Sequence, residues 1–346
     1  MSSFVDYLRA RLPLVNERLA AASARPLTNK GVAVDLERYL YEPLAHFTAE
    51  GGKRVRPVLC LMGAEAAGGN AEVALAPAVA IELFQSAALI HDDIADASEL
   101  RRGEPCLYKT QGMGVATNMG DLALVQVIDV ALQDAALPEE RKPEVLRRLV
   151  EMELHTLEGQ ALDLGWARDE RWDVTTDDYV YMVTSKTAWY SAASPLLIGA
   201  AAAGAGDALR EGLRRVGLHA GIAFQLQDDL LNLVGDAEAQ GKDFRSDITE
   251  GKRTLAVVHA LENLGAAERD ELVGILGSQA TEAATLARAV ELIELGGGIE
   301  CCRDLAASEV AQAEGLAHGL EQDGLISADA CELLCSMAQF FVNRAS

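Results

Sequence analysis

The chain has 346 residues, half of them hydrophobic, and 53 acidic against 30 basic residues give a formal net charge of −23. That composition can build a large core, while so negative a field argues against general binding to nucleic acid or an anionic membrane, both of which need positive surface. Six cysteines (Cys60, Cys106, Cys301, Cys302, Cys331, Cys335) form no CxxC pair and have no histidine at zinc spacing. With no signal peptide visible, reduced thiols in a cytoplasmic protein are expected, with Cys331 and Cys335 as buried helical residues.

Apolar residues recur with a helical period along the chain, and no strand-like alternation bounded by turns persists. The pattern predicts helices over about 3–24, 34–49, 54–67, 72–97, 116–135, 139–163 and 177–203. It predicts further helices over about 206–236, 252–263, 267–276, 280–295, 300–321 and 327–344. Breaks fall at Gly51-Gly52, Gly68-Gly69, Gly103 with Pro105, Gly112 to Gly114, and Gly296 to Gly298. Thr187 to Gly206 reaches spanning length but is Ala- and Gly-rich and weakly hydrophobic. It reads as a tightly packed internal helix, and no stable membrane insertion is expected. The expected fold class is all-α: a multi-helix bundle in one domain, 1–346, with its ligand site built from facing helices.

Two apolar stretches end in acid. Ile81 to Ile90 leads into Asp92-Asp93-Ile94-Ala95-Asp96, and Gly221 to Leu226 leads into Asp228-Asp229-Leu230-Leu231-Asn232. Asp92 and Asp96, four residues apart, project from one helix face, where like charges repel and a cation between them is favoured. Paired carboxylates with open positions suit Mg²⁺, which keeps several waters and completes its shell with substrate phosphate oxygens. Only seven lysines are present, and Lys186 stands in an otherwise uncharged stretch, where an unpaired buried ammonium is costly.

Seven segments, in this order, resemble the trans-isoprenyl diphosphate synthases, or polyprenyl synthetases. They are Gly51-Gly52-Lys53-Arg54-Val55-Arg56-Pro57, His91 to Asp96, Leu100 to Pro105, Gly159 to Leu164, Ser185-Lys186-Thr187, Phe224 to Asp229, and Gly241-Lys242 through Asp247 to Gly251-Lys252. The resemblance runs from about residue 35 to the final helix. It implies a bundle of the isoprenoid-synthase type around a central cavity, and a homodimer. The reaction it implies is head-to-tail condensation of an allylic diphosphate (C5, C10 or C15) with isopentenyl diphosphate. The allylic C–O bond ionises, the isopentenyl double bond attacks the cation, and a proton is lost. Diphosphate departure needs its charge neutralised, here by two or three Mg²⁺ ions, and the cation needs a dry apolar tunnel.

By the same resemblance, Asp92, Asp96 and Asp228 hold Mg²⁺, Asp93 orients the ligands, and Asp229 and Asn232 complete the metal set. Arg101, Lys186, Lys242 and Lys252 contact the allylic diphosphate, while Lys53, Arg56, Gln85 and Arg102 bind isopentenyl diphosphate. Thr187 and Gln225 line the region where the cation forms. Asp163 is expected to be a polar core residue pinned by a lysine or arginine, and His91 to pack beneath the acids. Asn232 departs from the usual aspartate and removes one charge from the metal set. A terpene cyclase-like lyase and a non-catalytic subunit of a heteromeric synthase are the competing readings. GGKRVRP argues against the first, and the intact first acid motif argues against the second.

Short-chain members of this family carry an aromatic floor four or five residues before the first aspartate. Here those positions are Ala88 and Ala87, and the next residue inward on the same face is Phe84. Three residues of helical rise deepen the tunnel by roughly 4.5 Å, near one isoprene unit. The expected product is therefore C20, geranylgeranyl diphosphate, or C25, with C15 and C30 or longer as alternatives.

Overall fold

The computed structural model describes residues 3–22, 31–49, 51–235 and 244–343. Lys242 lies outside them. Apolar periodicity becomes helix as expected: α1 (Phe4–Ala22), α2 (Ala33–Leu36), a π-helical turn (Glu37–Tyr41), α3 (Glu42–Ala49), α4 (Val55–Ala66) and α5 (Leu75–Ala95). A hairpin, β1 (Leu100–Arg101) with β2 (Glu104–Pro105), precedes α6 (Leu107–Gln111), α7 (Met113–Gln133), α8 (Lys142–Arg168) and α9 (Thr176–Val183). After a π-helical stretch (Thr184–Ala193) come α10 (Ser194–Ala202), α11 (Asp207–Val234) and α12 (Ser246–Thr249). The chain ends in α13 (Leu255–Asn263), α14 (Ala266–Gly277), α15 (Ala283–Leu295), α16 (Gly298–Gln322) and α17 (Ala328–Val342). The fold is all-α.

The chain gathers into two compact units. One takes residues up to 153 with 194–213 and 325–330; the other takes 154–193, 214–324 and 331 onward. In the first unit α5 packs on α4 and α7, and α10 packs on α4. Apolar residues surround α5 on almost every side, so it is buried between its neighbours. Asn70 caps the 3₁₀ turn that leads into it, its Oδ1 accepting from the N–H groups of Glu72 and Val73 at 3.0 and 3.3 Å. Pro77 falls in the first turn of α5, where no helical N–H partner is lost. By length and composition two helical segments, 71–95 and 113–133, suffice to cross a membrane; 72% of the first is buried within the protein, and 33% of the second.

In the second unit, α13 packs on α9, α15 and α16, over a core that includes Tyr179, Leu226, Leu255, Leu292 and Cys302. The π-helical stretch widens the backbone turn there, a geometry frequent at functional sites. Gly159 of α8 lets that stretch approach closely, since a Cβ on it would stand 2.2 Å from the Lys186 backbone nitrogen.

Candidate active site

In the first unit the acids close α5. The helix runs unbroken to its end, with the Asp96 N–H donating to the Asp92 carbonyl at 2.8 Å. Asp92 and Asp96 are half-buried one turn apart, and Asp93 between them is buried. Two carboxylates at the negative end of a helix dipole concentrate negative potential and favour a hard cation. Asp93 Oδ1 accepts from Arg101 Nε at 2.9 Å, while its Oδ2 is buried with no hydrogen-bond partner among the described residues.

The hairpin aims two arginines. Arg102 and Gly103 form its two-residue turn, with φ of +56° and +88°, the left-handed pair that a twisted hairpin requires. From that turn the Arg102 side chain crosses to the Gly51-Gly52 loop. A Cβ on Gly51 would meet Arg102 Cδ at 2.8 Å, and Gly51 and Gly52 hold φ of +66° and +86°. The two glycines are thus the floor on which Arg102 lies, and Lys53 follows them, exposed. Arg102 also donates to the Phe47 carbonyl at 3.2 Å and stands 5.6 Å from the centre of its ring.

Beneath the loop, buried Arg54 pairs with buried Glu82 of α5 and donates to the Thr48 and Ala49 carbonyls at 2.6 and 3.0 Å. It ties the loop to the end of α3. Arg56 and Gln85 are half-buried. A cleft of about 920 Å³ brings Arg101 and Arg102 together with Arg38 and His46. Sequence reasoning missed Arg38 and His46, since they precede the Gly-Gly-Lys-Arg segment at no recognisable spacing. Phe84 is fully buried, Ala87 joins a core cluster with Leu44, Phe47 and Met119, and Ala88 is half-buried.

In the second unit the π-helical stretch presents Lys186 and Thr187. Lys186 is ion-paired with Asp163 of α8. Burial opposes ionisation of Asp163, but the ammonium groups of Lys186 and Lys252 outweigh it and hold its carboxyl below the usual range. Thr187 Oγ1 donates to Gln225 Oε1 at 2.9 Å, and Gln225 Nε2 donates to Asp229 Oδ1 at 2.7 Å. The Tyr179 hydroxyl donates to Asp229 Oδ2 at 2.7 Å. Each oxygen of buried Asp229 therefore already serves a protein donor, whereas Asp228 beside it is half-buried. Burial, with Asp247 nearby, pushes the Asp229 carboxyl up.

Asn232 holds the chain that returns after Asp228. Its Oδ1 accepts from the Asp247 N–H at 3.3 Å and its Nδ2 donates to Ser246 Oγ at 3.1 Å. Lys252 pairs with Glu250 at 2.7 Å. Arg253, unflagged by sequence, is buried; it donates to the Arg171 carbonyl at 2.9 Å and stacks 3.8 Å from the centre of the Trp172 ring, anchoring the Lys252 turn. A polar pocket of about 90 Å³ gathers Asp163, Lys186, Thr187, Gln225, Asp247 and Lys252.

The polyprenyl synthetase family model matches residues 37–293. The short chain isoprenyl diphosphate synthase of Methanothermobacter thermautotrophicus is 35% identical over 344 residues, covering 99% of each chain. The geranylfarnesyl diphosphate synthase of Natronomonas pharaonis is also 35% identical, over 94% of this chain and 97% of its own. Among solved structures, geranylgeranyl pyrophosphate synthase from Corynebacterium glutamicum, complexed with isoprenyl diphosphate and magnesium, superposes with a TM-score of 0.87 at 28% identity, covering 99% of this chain and all of that one.

Proposed function

The chain belongs to the polyprenyl synthetase family and is a trans-prenyltransferase, and we propose that it condenses an allylic diphosphate with isopentenyl diphosphate, head to tail, in a Mg²⁺-dependent reaction. The observation that carries this reading is the Arg102 side chain lying across Gly51-Gly52 next to Lys53. It places a guanidinium beside an exposed ammonium, an anion-binding pair separate in sequence from the acid clusters. A lyase acting on one diphosphate has no use for such a pair, and a condensing enzyme needs one for its second substrate.

The donor set suits Mg²⁺. Asp92 and Asp96 offer hard carboxylate oxygens one turn apart, and Asp228 offers another beside a neighbour already engaged. Mg²⁺ held by these carboxylates would neutralise charge on the departing diphosphate. Asp93 orients Arg101 toward the cleft, and Arg101 presents a planar fork to phosphate oxygens. Lys186, held by Asp163, places an ammonium at the allylic diphosphate. Gln225 is fixed between Thr187 and Asp229, which presents its amide oxygen and the Thr187 hydroxyl oxygen to the allyl cation. In this arrangement Asp229 and Asn232 are positioning residues for Gln225 and for the Asp247 segment. Arg102 and Lys53 bind isopentenyl diphosphate.

Supporting a product of C20 or C25 are the absence of an aromatic residue at 87 and 88 and the fully buried ring of Phe84. A homodimer fits the apolar surface that the molecule leaves open: Val150, Leu154 and Leu157 form one stripe along α8, and α7 exposes Met113, Val125 and Leu132. The test is diphosphate release from an allylic diphosphate in Mg²⁺, with and without isopentenyl diphosphate. Release that requires the second substrate and stops with chelator is expected. Equal release without it contradicts condensation.

A further inference from the structure

We propose that His318, Glu321, Cys331 and Cys335 form a structural site for one soft divalent cation of the zinc class, which staples the C-terminal helix to α16. Cys331 and Cys335, four residues apart, share a face of α17, and His318 and Glu321 share a face of α16. Residues 323–327 join the two helices and bring these faces together. The Cys331 sulfur lies 3.3 Å from His318 Nδ1, the Cys335 sulfur 3.9 Å from His318 Nε2, and Glu321 Oε2 3.7 Å from His318 Nδ1. One donor atom from each of His318, Cys331 and Cys335 can be chosen so that all lie within 4.8 Å of one another. Zn–S and Zn–N bonds of about 2.3 and 2.0 Å in a tetrahedron set donor separations of roughly 3.3–3.8 Å; Cys331 and Glu321 stand at that spacing from His318 Nδ1, while Cys335 lies nearest the other ring nitrogen and joins them by a side-chain rotation.

The site's surroundings fit that chemistry. Cys331 is buried, Cys335 is half-buried and His318 is exposed, which leaves an entry path from solvent. Burial first, then the neighbouring Glu321 carboxylate, pushes the Cys331 thiol up to about 12. A cation converts this unfavourable pairing into two thiolates and a carboxylate around one positive centre, releasing two thiol protons to solvent. Sulfur donors select zinc over magnesium, so the site is chemically distinct from the aspartate clusters. Thirteen residues separate His318 from Cys331, and only the helical pairing makes them neighbours, so no spacing pattern reveals the site. The consequence is local: α17 carries Phe341, whose ring meets Phe224 edge-on at 5.0 Å, and Phe224 lies one turn before Asp228 on α11.

The experiment uses the full chain, reduced and stripped with chelator, then titrated with Zn²⁺ or Co²⁺ in millimolar Mg²⁺. The expected result is one tightly held Co²⁺ per chain with a thiolate-to-cobalt charge-transfer band, replaced by Zn²⁺ and untouched by Mg²⁺. Zn²⁺ is expected to raise the melting temperature of the wild type. Cys335→Ser and His318→Ala, at the two more accessible positions, are each expected to weaken binding by at least about tenfold and to lose the Zn²⁺-dependent shift, while prenyl transfer in Mg²⁺ is unchanged at low temperature. A wild type without the thiolate band, or a band and Zn²⁺ shift unchanged in both variants, overturns the proposal.

Discussion

Asp92 and Asp96 crowd like charge onto the last turn of α5, at the helix end that itself carries partial negative charge. Removing either carboxylate relieves repulsion, so its loss is expected to be felt in catalysis and not in folding. Asp92→Ala should lower turnover by well over tenfold, about 1.4 kcal/mol of transition-state stabilisation, with an unchanged or raised melting temperature. Activity retained within that tenfold removes Asp92 from the metal set. Gly51 is a second sharp position. Its φ of +66° and the Arg102 Cδ that a Cβ would meet at 2.8 Å both resist a side chain. Gly51→Ala is expected to raise KM for isopentenyl diphosphate by about tenfold, ~1.4 kcal/mol, and to leave KM for the allylic partner little changed; equal effects on both substrates count against the assignment. Glu153 of α8 is different in kind. Burial pushes its carboxyl up to about 7, and its Oε1 has no hydrogen-bond partner among the described residues. A carboxyl raised in the folded state contributes stability that is whole below its unfolded pKa, near 4.5, and lost as pH climbs through about 7. Urea melts across that window should show the wild type losing stability, and Glu153→Gln should lose less. Parallel pH curves for the two proteins contradict this account of Glu153.

At the scale of elements, the long helices and the acid clusters were legible in the sequence, because helical period and one-turn charge spacing are local signals. The hairpin at 100–105 was not: two-residue strands are too short to show alternation, although Gly103 and Pro105 marked the break. Nor was the partner of each polar residue legible. Arg54 belonged to a segment singled out as phosphate-binding, yet its guanidinium is buried against Glu82, a residue that reads as one polar letter in an apolar helix. Asn232 was expected in the metal set as a neutral ligand in the usual aspartate position, and the structure gives both ends of its amide a partner in the segment at 246–247. Tyr179 and Arg253 gained meaning only once α9, α11 and α13 were packed. The Arg54–Glu82 pair carries a prediction at this scale. Glu82→Ala leaves an uncompensated buried guanidinium and is expected to destabilise the fold by about 3–5 kcal/mol. Chemical denaturation measures it, and a loss below about 1 kcal/mol shows that the pair does not hold the loop.

For the molecule as a whole, the proposed homodimer would cover the apolar stripe along α8. Leu154→Arg with Leu157→Arg should convert a dimer to a monomer in light scattering, and a monomeric wild type contradicts the homodimer. Product length is the property least legible at any scale. On the proposed reading it is set by the buried ring of Phe84, which closes the path of the growing chain. Phe84→Ala should lengthen the product by at least one isoprene unit, read by chromatography of the dephosphorylated products. The measurement that bears most directly on the central claim is incubation of the purified protein with a C15 allylic diphosphate, isotopically labelled isopentenyl diphosphate and Mg²⁺. The expected product is an all-trans C20 or C25 diphosphate with one label per added unit and none when chelator is present. Allylic diphosphate consumed without label entering the product contradicts it.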